Sequence, residues 1–350
     1  MTMQTSQRVG VLCAGSMVVD LGKEIDRYPE PENLAIISRL SISTGGPALN
    51  MAVDLRQLGA EFPIGIIGAV GDDAHAQVIF DRCRRQHIDT AAVVRIPGVA
   101  TSFTDCMVEQ SSGRRTFFHH LGSAARVDVS DFPIEDTTAR ILHLGAPGIF
   151  PLMDDAATAG GDNGWVRLLR RAQAAGLHTN MELVSLEPHR QVDVAGPCLA
   201  YLSSLVINEL EAAALVGAEA PAAGLDGPVD WPALEAIARG LVERGVSKLA
   251  VVHFPAGCVA AAPSSPEPVT WRQGSVRLSP AQIRSTTGAG DAFAAGVILG
   301  LHEGWSTPDC LRLGAASAAA CIRSRHTNDG IQDARTCLLD AEQSGYRPTS

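Results

Sequence analysis

Short apolar segments alternate with helical segments through the second half of the chain, and this alternation restricts the possible folds more than any other feature. Four apolar runs have the length of buried strands: Ile141–Gly145, Leu177–Met181, Leu205–Ile207 and Leu249–Val252. Segments of helical periodicity lie between them: Trp165–Ala175, Glu209–Val216 and Trp231–Glu243. Because strands that are apolar on both faces need helices on both sides, the pattern predicts a doubly wound α/β fold with a mostly parallel sheet.

The first half of the chain begins in the same way but also contains extended segments. Val9–Ala14 is an apolar run typical of a buried strand, and Pro47–Gly59 has the start and stop signals of a helix. Asn33–Ser43 alternates loosely, and Ser102–Val108 and Arg115–His120 are extended segments that a Ser-Ser-Gly turn separates, which predicts a hairpin. We therefore predict one domain over residues 1–350, with these extended segments forming a small β-sheet outside the main one.

The charge distribution argues against several classes of partner. The 350 residues include 28 Lys and Arg against 38 Asp and Glu, a formal net charge of −10. No basic patch suited to nucleic acid or to an anionic membrane surface stands out. No apolar stretch approaches the roughly 20 residues that a membrane-spanning helix needs. We expect neither a nucleic-acid nor a membrane partner.

Eight cysteines are scattered along the chain without a CxxC pair or the spacing of a zinc site. Several lie among apolar neighbours, for example Cys13 and Cys321. In a chain of this length the pattern is typical of buried free thiols in a reducing compartment. The polar segment Met1–Arg8 has no apolar signal core. The sequence therefore predicts a cytoplasmic protein.

A glycine-rich segment, Ser285–Asp291 (STTGAGD), precedes the apolar helical stretch Ala294–Leu301. Glycines let backbone N–H groups converge on an anion, and a helix start adds unpaired donors and positive dipole potential. Asp291 beside such a cradle could accept the proton of a hydroxyl that attacks a phosphoryl group. No Lys-Ser or Lys-Thr follows the glycines, so this is not a Walker A motif. By itself the segment fits an ordinary capped helix entry equally well.

The segment Ser285–Asp291 resembles the second signature of the PfkB carbohydrate kinase family, also called the ribokinase family. Other segments resemble further family motifs in the same order: Gly15-Ser16 with Asp20, Gly45–Ala52 followed by Leu58–Ala60 and Gly71–Asp73, and Asn208–Glu211. The matches extend over roughly residues 9–330, so the chain is identified as a member of this family.

The resemblance implies an ATP-dependent phosphotransferase that moves the γ-phosphoryl group to a hydroxyl of a sugar or sugar-like substrate. It also implies a ribokinase-like doubly wound sheet, with a small β-sheet lid formed by about 26–43 and 100–120. A lid of this kind closes over the substrate and excludes water.

The resemblance assigns roles to individual residues. Asp291 is the general base, and the anion hole consists of Gly288, Ala289 and Gly290. The substrate-binding residues are Asp20, Gly46, Asn50, Phe103 and His120, the last two as parts of the lid. The nucleotide-binding residues are Asn208, Glu211, Gly257 and Thr287. Glu211 holds Mg²⁺ indirectly, through water, so the expected cofactors are ATP and Mg²⁺.

Several of these residues also fit ordinary structural roles. Asp20 could serve a turn, and Asn50 could simply lie within a helix. Asn208 and Glu211 have the spacing of an N-terminal capping box. For these residues the functional and the structural interpretation both stay open at this point.

The lid aromatics, including Phe118, could equally pack within a small sheet or form a contact between subunits. A homodimer through the lid is therefore compatible with the sequence. Glu182 follows the strand Leu177–Met181, at the edge where ligands meet open α/β sheets, which makes it a further candidate.

Two positions depart from the family pattern. Ser285 stands where the family usually has an aspartate that helps to hold a monovalent cation, so potassium dependence is an open question. The segment His253–Gly257 (HFPAG) replaces the family's Thr-Leu-Gly nucleotide loop, and Pro255 has no N–H to donate. Gly257 alone carries over from that loop, and His253 is interpreted as a strand-end histidine without a role.

Three other functions are weighed against the carbohydrate kinase. A nucleoside kinase of the same family is disfavoured because aromatic residues make up only 5% of the chain and a base needs stacking partners. A NAD-dependent dehydrogenase is disfavoured because the first strand lacks a glycine fingerprint and the helix that follows it. A catalytically silent sugar-binding protein is disfavoured by the intact Asp291. The substrate itself, the hydroxyl that is phosphorylated and the oligomeric state are not predicted.

Overall fold

The computed structural model describes residues 8–156, 161–225, 227–324 and 327–350. Its strands, in chain order, are β1 (Val11–Gly15), β2 (Val18–Ile25), β3 (Ile37–Gly45), β4 (Ile64–Gly71), β5 (Val93–Ile96), β6 (Phe103–Glu109), β7 (Arg115–His120), β8 (Ile141–Gly145), β9 (His178–Glu182), β10 (Ser204–Asn208), β11 (Leu249–Phe254), β12 (Gly257–Ala262) and β13 (Val269–Gly274). Its α-helices are α1 (Pro47–Gln57), α2 (Ala74–Arg85), α3 (Pro151–Asp154), α4 (Gly164–Ala174), α5 (Pro188–Ala195), α6 (Glu209–Val216), α7 (Trp231–Glu243), α8 (Ala289–Glu303), α9 (Thr307–Ile322) and α10 (Ala334–Ser344).

The large sheet has nine strands in the spatial order β13-β12-β11-β10-β9-β8-β1-β4-β5. Its other pairs are parallel, whereas β11, β12 and β13 pair antiparallel at one edge. The predicted mostly parallel sheet is confirmed, and the antiparallel edge was not anticipated. From β1 the chain builds first toward β5 and then toward β13. The carboxyl end of β1 therefore borders the crevice where open α/β sheets bind ligands.

Helices cover both faces of the large sheet because its strands are apolar on both sides. On β10 the side chains of Leu205 and Ile207 enter the core that contains Trp165 of α4, while Val206 enters the core that contains Phe293 of α8. Burial on both faces holds the strand ends, and the helix starts beside them, in fixed positions. None of the described helices is both long and apolar enough to span a membrane.

The second sheet, which we call the small sheet, has four strands in the order β3-β2-β6-β7. It begins at Val18, earlier than the stretch 26–43 that we expected to open it. From the sequence, Val9–Ala14 and the apolar residues after it are interpreted as one strand. In the structure the chain leaves the large sheet at Gly15 and enters the small sheet three residues later.

The strand registers divide the small sheet into two faces. Asp20 lies opposite Ser43 and Thr104, and Thr104 lies opposite His119, so these side chains share one face, which we call the inner face. Lys23 lies opposite Leu40 on the other face, which we call the outer face. Side chains of a strand alternate between faces, so the parity of a residue within its strand, meaning whether its number is odd or even, decides which face it joins.

Candidate active site

Three polar side chains from distant parts of the chain meet beside the carboxyl ends of β1 and β8. Asn50 lies in the first turn of α1, and its Nδ2 donates a hydrogen bond to Asp291 Oδ2 at 2.5 Å. Asp20 on β2 is close enough to Asp291 for the two carboxylates to repel each other. Gly46 precedes α1 and approaches the backbone oxygen of Ser16, just after β1. The structure thus brings Asp20, Gly46, Asn50 and Asp291 together.

Asp291 lies in the first turn of α8, directly after the glycine bend. Gly288 precedes the helix with φ 83°, and a Cβ there would lie 2.3 Å from Thr327 Cγ2, so the position requires glycine. The first-turn amides have no carbonyl of an earlier turn to bond, and with the helix dipole they favour an anion beside Asp291. The N–H of Ala289 already donates to Thr286 O at 3.3 Å, so this amide is engaged within the loop.

Asp20 lies in a narrow site formed by the small sheet. Thr104 on β6 donates a hydrogen bond to its carboxylate. Gly45 on β3 leaves room for that carboxylate, since a Cβ at position 45 would lie 2.3 Å from Asp20 Oδ2. Burial raises the pKa of Asp20 to about 6, the Thr104 bond opposes this and the charge of Asp291 adds to it. The ionised carboxylate can accept bonds from two hydroxyls of a polyol at once.

We expect the KM for the acceptor to rise as the pH falls below about 6, at saturating ATP, because Asp20 is ionised above that pH and protonated below it. The rise should approach about tenfold per pH unit if the neutral acid binds poorly. Initial rates between about pH 5 and pH 7.5 measure it. An Asp20→Asn variant should have a high KM without this limb. An unchanged limb in that variant would assign the dependence to a different group.

The register places the two predicted lid residues away from Asp20. Phe103 and His120 lie opposite each other on the outer face, with ring centroids 5.0 Å apart. The Phe103 ring also lies 5.5 Å from that of His75 on α2. The small sheet therefore does not bring Phe103 and His120 to the face that carries Asp20, because the strand register places both of them on the opposite face.

Two residues that the sequence reasoning missed lie on the inner face instead. His119 Nδ1 is 3.0 Å from Thr104 Oγ1, the hydroxyl that also contacts Asp20. Phe117 has the same parity and is 56% exposed. In the run Phe117–His120, each face of the strand receives one phenylalanine and one histidine. The residue types alone therefore could not show which pair lies on the same face as Asp20.

Asn208 and Glu211 form a capping box at the start of α6. Asn208 Oδ1 accepts from the Glu211 N–H at 2.9 Å, and Glu211 Oε2 accepts from the Asn208 N–H at 3.2 Å. Both residues line a cleft of about 360 Å³. Burial raises the pKa of Glu211 to about 7. The capping role is therefore present, and the same carboxylate lies at a cleft beside the end of β10.

Thr287 connects the glycine bend to the small sheet. Its N–H donates to Ser285 Oγ at 3.2 Å, and its Oγ1 accepts a hydrogen bond from Arg115 Nη1 at the start of β7. Ser285 is buried and engaged in this turn. Sequence reasoning did not identify Arg115, because its contact with Thr287 joins residues 172 positions apart.

The segment from His253 to Gly257 belongs to the hairpin between β11 and β12. Gly257 is the first residue of β12 and pairs with Gly274 of β13, so it belongs to the antiparallel edge of the large sheet. The His253 ring lies 5.2 Å from that of Phe293 on α8, and burial lowers its pKa to about 4. His253 is therefore a neutral side chain at the start of α8.

Glu182, at the end of β9, lies close enough to Asp291 for the two carboxyl groups to interact. Burial, followed by the charge of Asp291, raises the pKa of Glu182 well above its usual value. His143 on β8 is fully buried, and its Nε2 lies 3.4 Å from Glu182 Oε2. Burial lowers the pKa of His143 to about 3, so it is neutral. With the Asn180 amide turned so that its oxygen accepts from His143 Nδ1 at 2.9 Å, the proton of the neutral ring lies on Nδ1, and the unprotonated Nε2 faces Glu182 Oε2.

Comparison with known proteins places this geometry in context. The sequence pattern described as "pfkB family carbohydrate kinase" matches residues 10–334. An ATP-dependent ribose-1-phosphate kinase of Halopiger xanaduensis is 28% identical, over 94% of this chain and 95% of that protein. A 5-dehydro-2-deoxygluconokinase of Clostridium perfringens is 23% identical, over 82% of this chain and 80% of that protein.

The fold is also similar to solved structures. An Arabidopsis thaliana ribokinase, solved in complex with ribose and ATP, superposes with a TM-score of 0.75 at 19% identity. The similarity covers 96% of this chain and 99% of the ribokinase. It confirms the predicted ribokinase-like arrangement of a large mostly parallel sheet and a smaller second sheet.

Proposed function

This chain belongs to the pfkB family of carbohydrate kinases, and from that premise we propose that it moves the γ-phosphoryl group of ATP to a sugar hydroxyl held between Asp20, Asn50 and Asp291. One observation carries the proposal. The Asn50 amide holds Asp291 at 2.5 Å in the first turn of α8, beside the glycine bend and facing Asp20. A base, an anion-binding helix start and an acceptor-binding carboxylate therefore share one crevice.

In the proposed reaction Asp291 takes the proton of the acceptor hydroxyl as its oxygen attacks the γ-phosphorus. The new O–P bond forms while the bond between the γ-phosphorus and the bridging oxygen breaks, and ADP leaves with that electron pair. Asn50 directs the carboxylate toward the acceptor, and amides at the start of α8 stabilise the charge on the transferring group. The small sheet acts as a lid that excludes water as a competing acceptor.

We assign ATP phosphates to the start of α8 and Mg²⁺ to the neighbourhood of Glu211. Among the described residues, no three His, Cys, Asp or Glu side chains are close enough to hold a metal ion by themselves. Mg²⁺ usually binds one or two carboxylates, with phosphates and water completing its shell. A buried Glu211 carboxylate beside a cleft fits that donor set. When bound, Mg²⁺ would neutralise phosphate charge.

An acceptor screen that reads ADP release tests the proposal. It should include ribose, fructose, 2-keto-3-deoxygluconate, 5-dehydro-2-deoxygluconate, ribose 1-phosphate, adenosine and inosine, each with Mg²⁺–ATP. We expect ADP release that depends on a sugar or sugar derivative and a matching phosphorylated product by mass spectrometry. ATP turnover with none of the alcohols would contradict the proposal and favour a catalytically silent sugar-binding protein.

A nucleoside kinase is a second candidate, because Phe117 offers an exposed aromatic face on the inner side of the small sheet. A stacked base would gain from such a ring. The screen separates the two functions: adenosine or inosine as the preferred acceptor supports the nucleoside kinase, and a free or phosphorylated sugar supports the carbohydrate kinase. A NAD-dependent dehydrogenase does not fit the family.

We also propose that two copies of the chain associate through the outer face of the small sheet. Leu40, Ile42 and Phe118 share that face and are 71%, 64% and 58% exposed. Leu40 and Ile42 lie on the edge strand β3 and Phe118 on the opposite edge strand β7, and exposed apolar side chains that share one face of a sheet suit an interaction surface. A second copy is the simplest occupant because a two-fold contact would bury the same face on both subunits.

We expect Phe118→Asp to convert a dimer into a monomer at micromolar concentration, because it would bury a charge in the contact in place of an exposed apolar side chain. Sedimentation velocity measures the change. Phe117→Asp is the matched control, since Phe117 is equally exposed, at 56%, but points to the inner face. A wild-type monomer, or equal dissociation of both variants, would contradict a dimer through the outer face.

We retain a cytoplasmic location as a proposal. It is supported by the eight cysteines, all of which are free thiols. Seven of them are buried and Cys106 is partly exposed, a pattern that suits a reducing compartment.

A further inference from the structure

One cation of the small sheet reaches across to the glycine bend. Arg115 opens β7 and lies opposite Val108, with the same parity as His119, so its side chain emerges on the inner face. Its Nη1 donates a hydrogen bond to Thr287 Oγ1, and Thr287 directly precedes Gly288. The guanidinium is therefore beside the entrance of the anion hole while its backbone belongs to the lid.

Arg115 differs from the other cations of the small sheet in its pairing. Lys23 pairs with Asp105, and Arg39 pairs with Glu24. Within the part of the chain that the structure describes, no carboxylate pairs with Arg115, and its polar partner is the neutral hydroxyl of Thr287. A guanidinium stays charged at any physiological pH, so a full positive charge lies beside the neutral hydroxyl of Thr287.

A positive charge at this position would favour phosphate binding, because the crevice is lined by carboxyl groups. The carboxyl groups of Asp20, Glu182 and Glu211 lie close enough to Asp291 for its charge to add to the effect of burial and raise the pKa of each. A site that receives the polyanionic end of ATP must offset this negative potential, and backbone amides supply only partial charges. An arginine offers two parallel N–H donors that match phosphate oxygens.

We propose that Arg115 is a phosphoryl-binding residue carried by the lid, whose guanidinium exchanges the Thr287 hydroxyl for a phosphoryl oxygen at the anion hole. This inference rests on the proposed kinase function. The ligand of Arg115 is a phosphoryl group. It comes either from the γ-phosphoryl of ATP or from a phosphate already present on the acceptor sugar. The position of Thr287 next to Gly288 favours the γ-phosphoryl. Arg115 keeps its protons throughout, because Asp291 accepts the one proton that the transfer releases.

Phosphate binding by Arg115 would also make the position of the lid depend on which nucleotide is bound. A phosphoryl group between Arg115 and the start of α8 would tie β7 to the loop before α8, so the lid would be held closed when ATP is present and released when ADP remains. A closed lid is needed at the moment of transfer and is a hindrance to product release.

The test compares Arg115→Gln with Arg114→Gln. Arg114 is the adjacent residue, is exposed and lies in the turn before β7. We expect Arg115→Gln to weaken binding of a non-hydrolysable ATP analogue by about tenfold or more and of ADP by less than about twofold, by titration calorimetry. Its kcat should fall by about 10²-fold. Arg115→Lys should recover part of the affinity, because it restores charge without the second donor.

The acceptor arm of the experiment identifies the source of the phosphoryl group. If Arg115→Gln raises only the KM of a phosphorylated sugar, leaving unphosphorylated sugars and the ATP analogue unaffected, the bound phosphate belongs to the acceptor. If nucleotide affinities, kcat and all acceptor KM values match those of Arg114→Gln, the inference is wrong. A wild-type protein without ADP release would refute the kinase proposal instead, and the nucleotide titrations would still decide the role of Arg115.

Discussion

Asp291→Asn should lower kcat by about 10²-fold or more while the protein stays folded and binds nucleotide, since a positioned general base contributes about 10²–10⁴ in rate. The change is nearly isosteric. An asparagine oxygen at position 291 can still accept from Asn50 Nδ2, so the 2.5 Å contact and the start of α8 should persist. What is lost is the capacity to take the acceptor proton. Steady-state ADP release measures kcat, and thermal unfolding checks the fold.

Asp309→Asn is the matched control for this variant. Asp309 also lies in the first turn of a helix, α9, where it interacts with the helix dipole. Losing such a carboxylate costs about 0.3–1 kcal/mol of stability and has no reason to change turnover. A near-normal kcat in Asp291→Asn, or an equal loss in Asp309→Asn, would contradict the assignment of Asp291 as the base.

Asp20→Ala should raise the acceptor KM by about 10-fold to 100-fold, with a smaller effect on ATP affinity. A hydrogen bond to a charged group is worth about 1.5–3 kcal/mol, and each 1.4 kcal/mol corresponds to a factor of ten. Asp20 interacts with Thr104 and lies close enough to Asp291 to feel its charge, so its carboxylate faces the position proposed for the acceptor. Initial rates against acceptor concentration, at saturating ATP, measure the change.

Gly45→Ala tests the same site without touching its chemistry. The new Cβ would lie 2.3 Å from Asp20 Oδ2, so the carboxylate must move. We expect the acceptor KM to rise in the same direction as for Asp20→Ala. Gly196→Ala is the control, because a Cβ there meets nothing nearer than Val192 Cγ1 at 3.9 Å. Unchanged KM values for both Asp20→Ala and Gly45→Ala would remove Asp20 from the acceptor site.

Parts of this site could be predicted because their signals are local. The bend at Gly288 and the carboxylate at Asp291 occupy adjacent positions, and the helix that follows is apolar on most of its surface. The capping-box spacing of Asn208 and Glu211 is also local, and both hydrogen bonds are present. The parallel strands in the second half of the chain coincide closely with apolar runs. Because both faces of these strands are buried, polar residues do not alternate with apolar ones and the runs are easy to recognise.

Other parts of the site depend on partners that lie far away in the chain. His143 and Glu182 lie on neighbouring strands whose register decides that they meet. Arg115 and Thr287 meet because the small sheet lies against the start of α8. The hairpin that holds Phe103 and His120 was expected, but the face they occupy was not, since it is decided by pairing with β2.

Neighbouring residues were enough to predict the kind of fold, the helix start at the glycine bend and the carboxylate beside it, because these features depend on local chemistry. Three features followed only from the folded chain: the aromatics that share a face with Asp20, the approach of Glu182 to Asp291, and the contact between Arg115 and Thr287. The face of a strand residue changes with a one-residue shift of register, and contacts between distant segments exist only once both cores have formed.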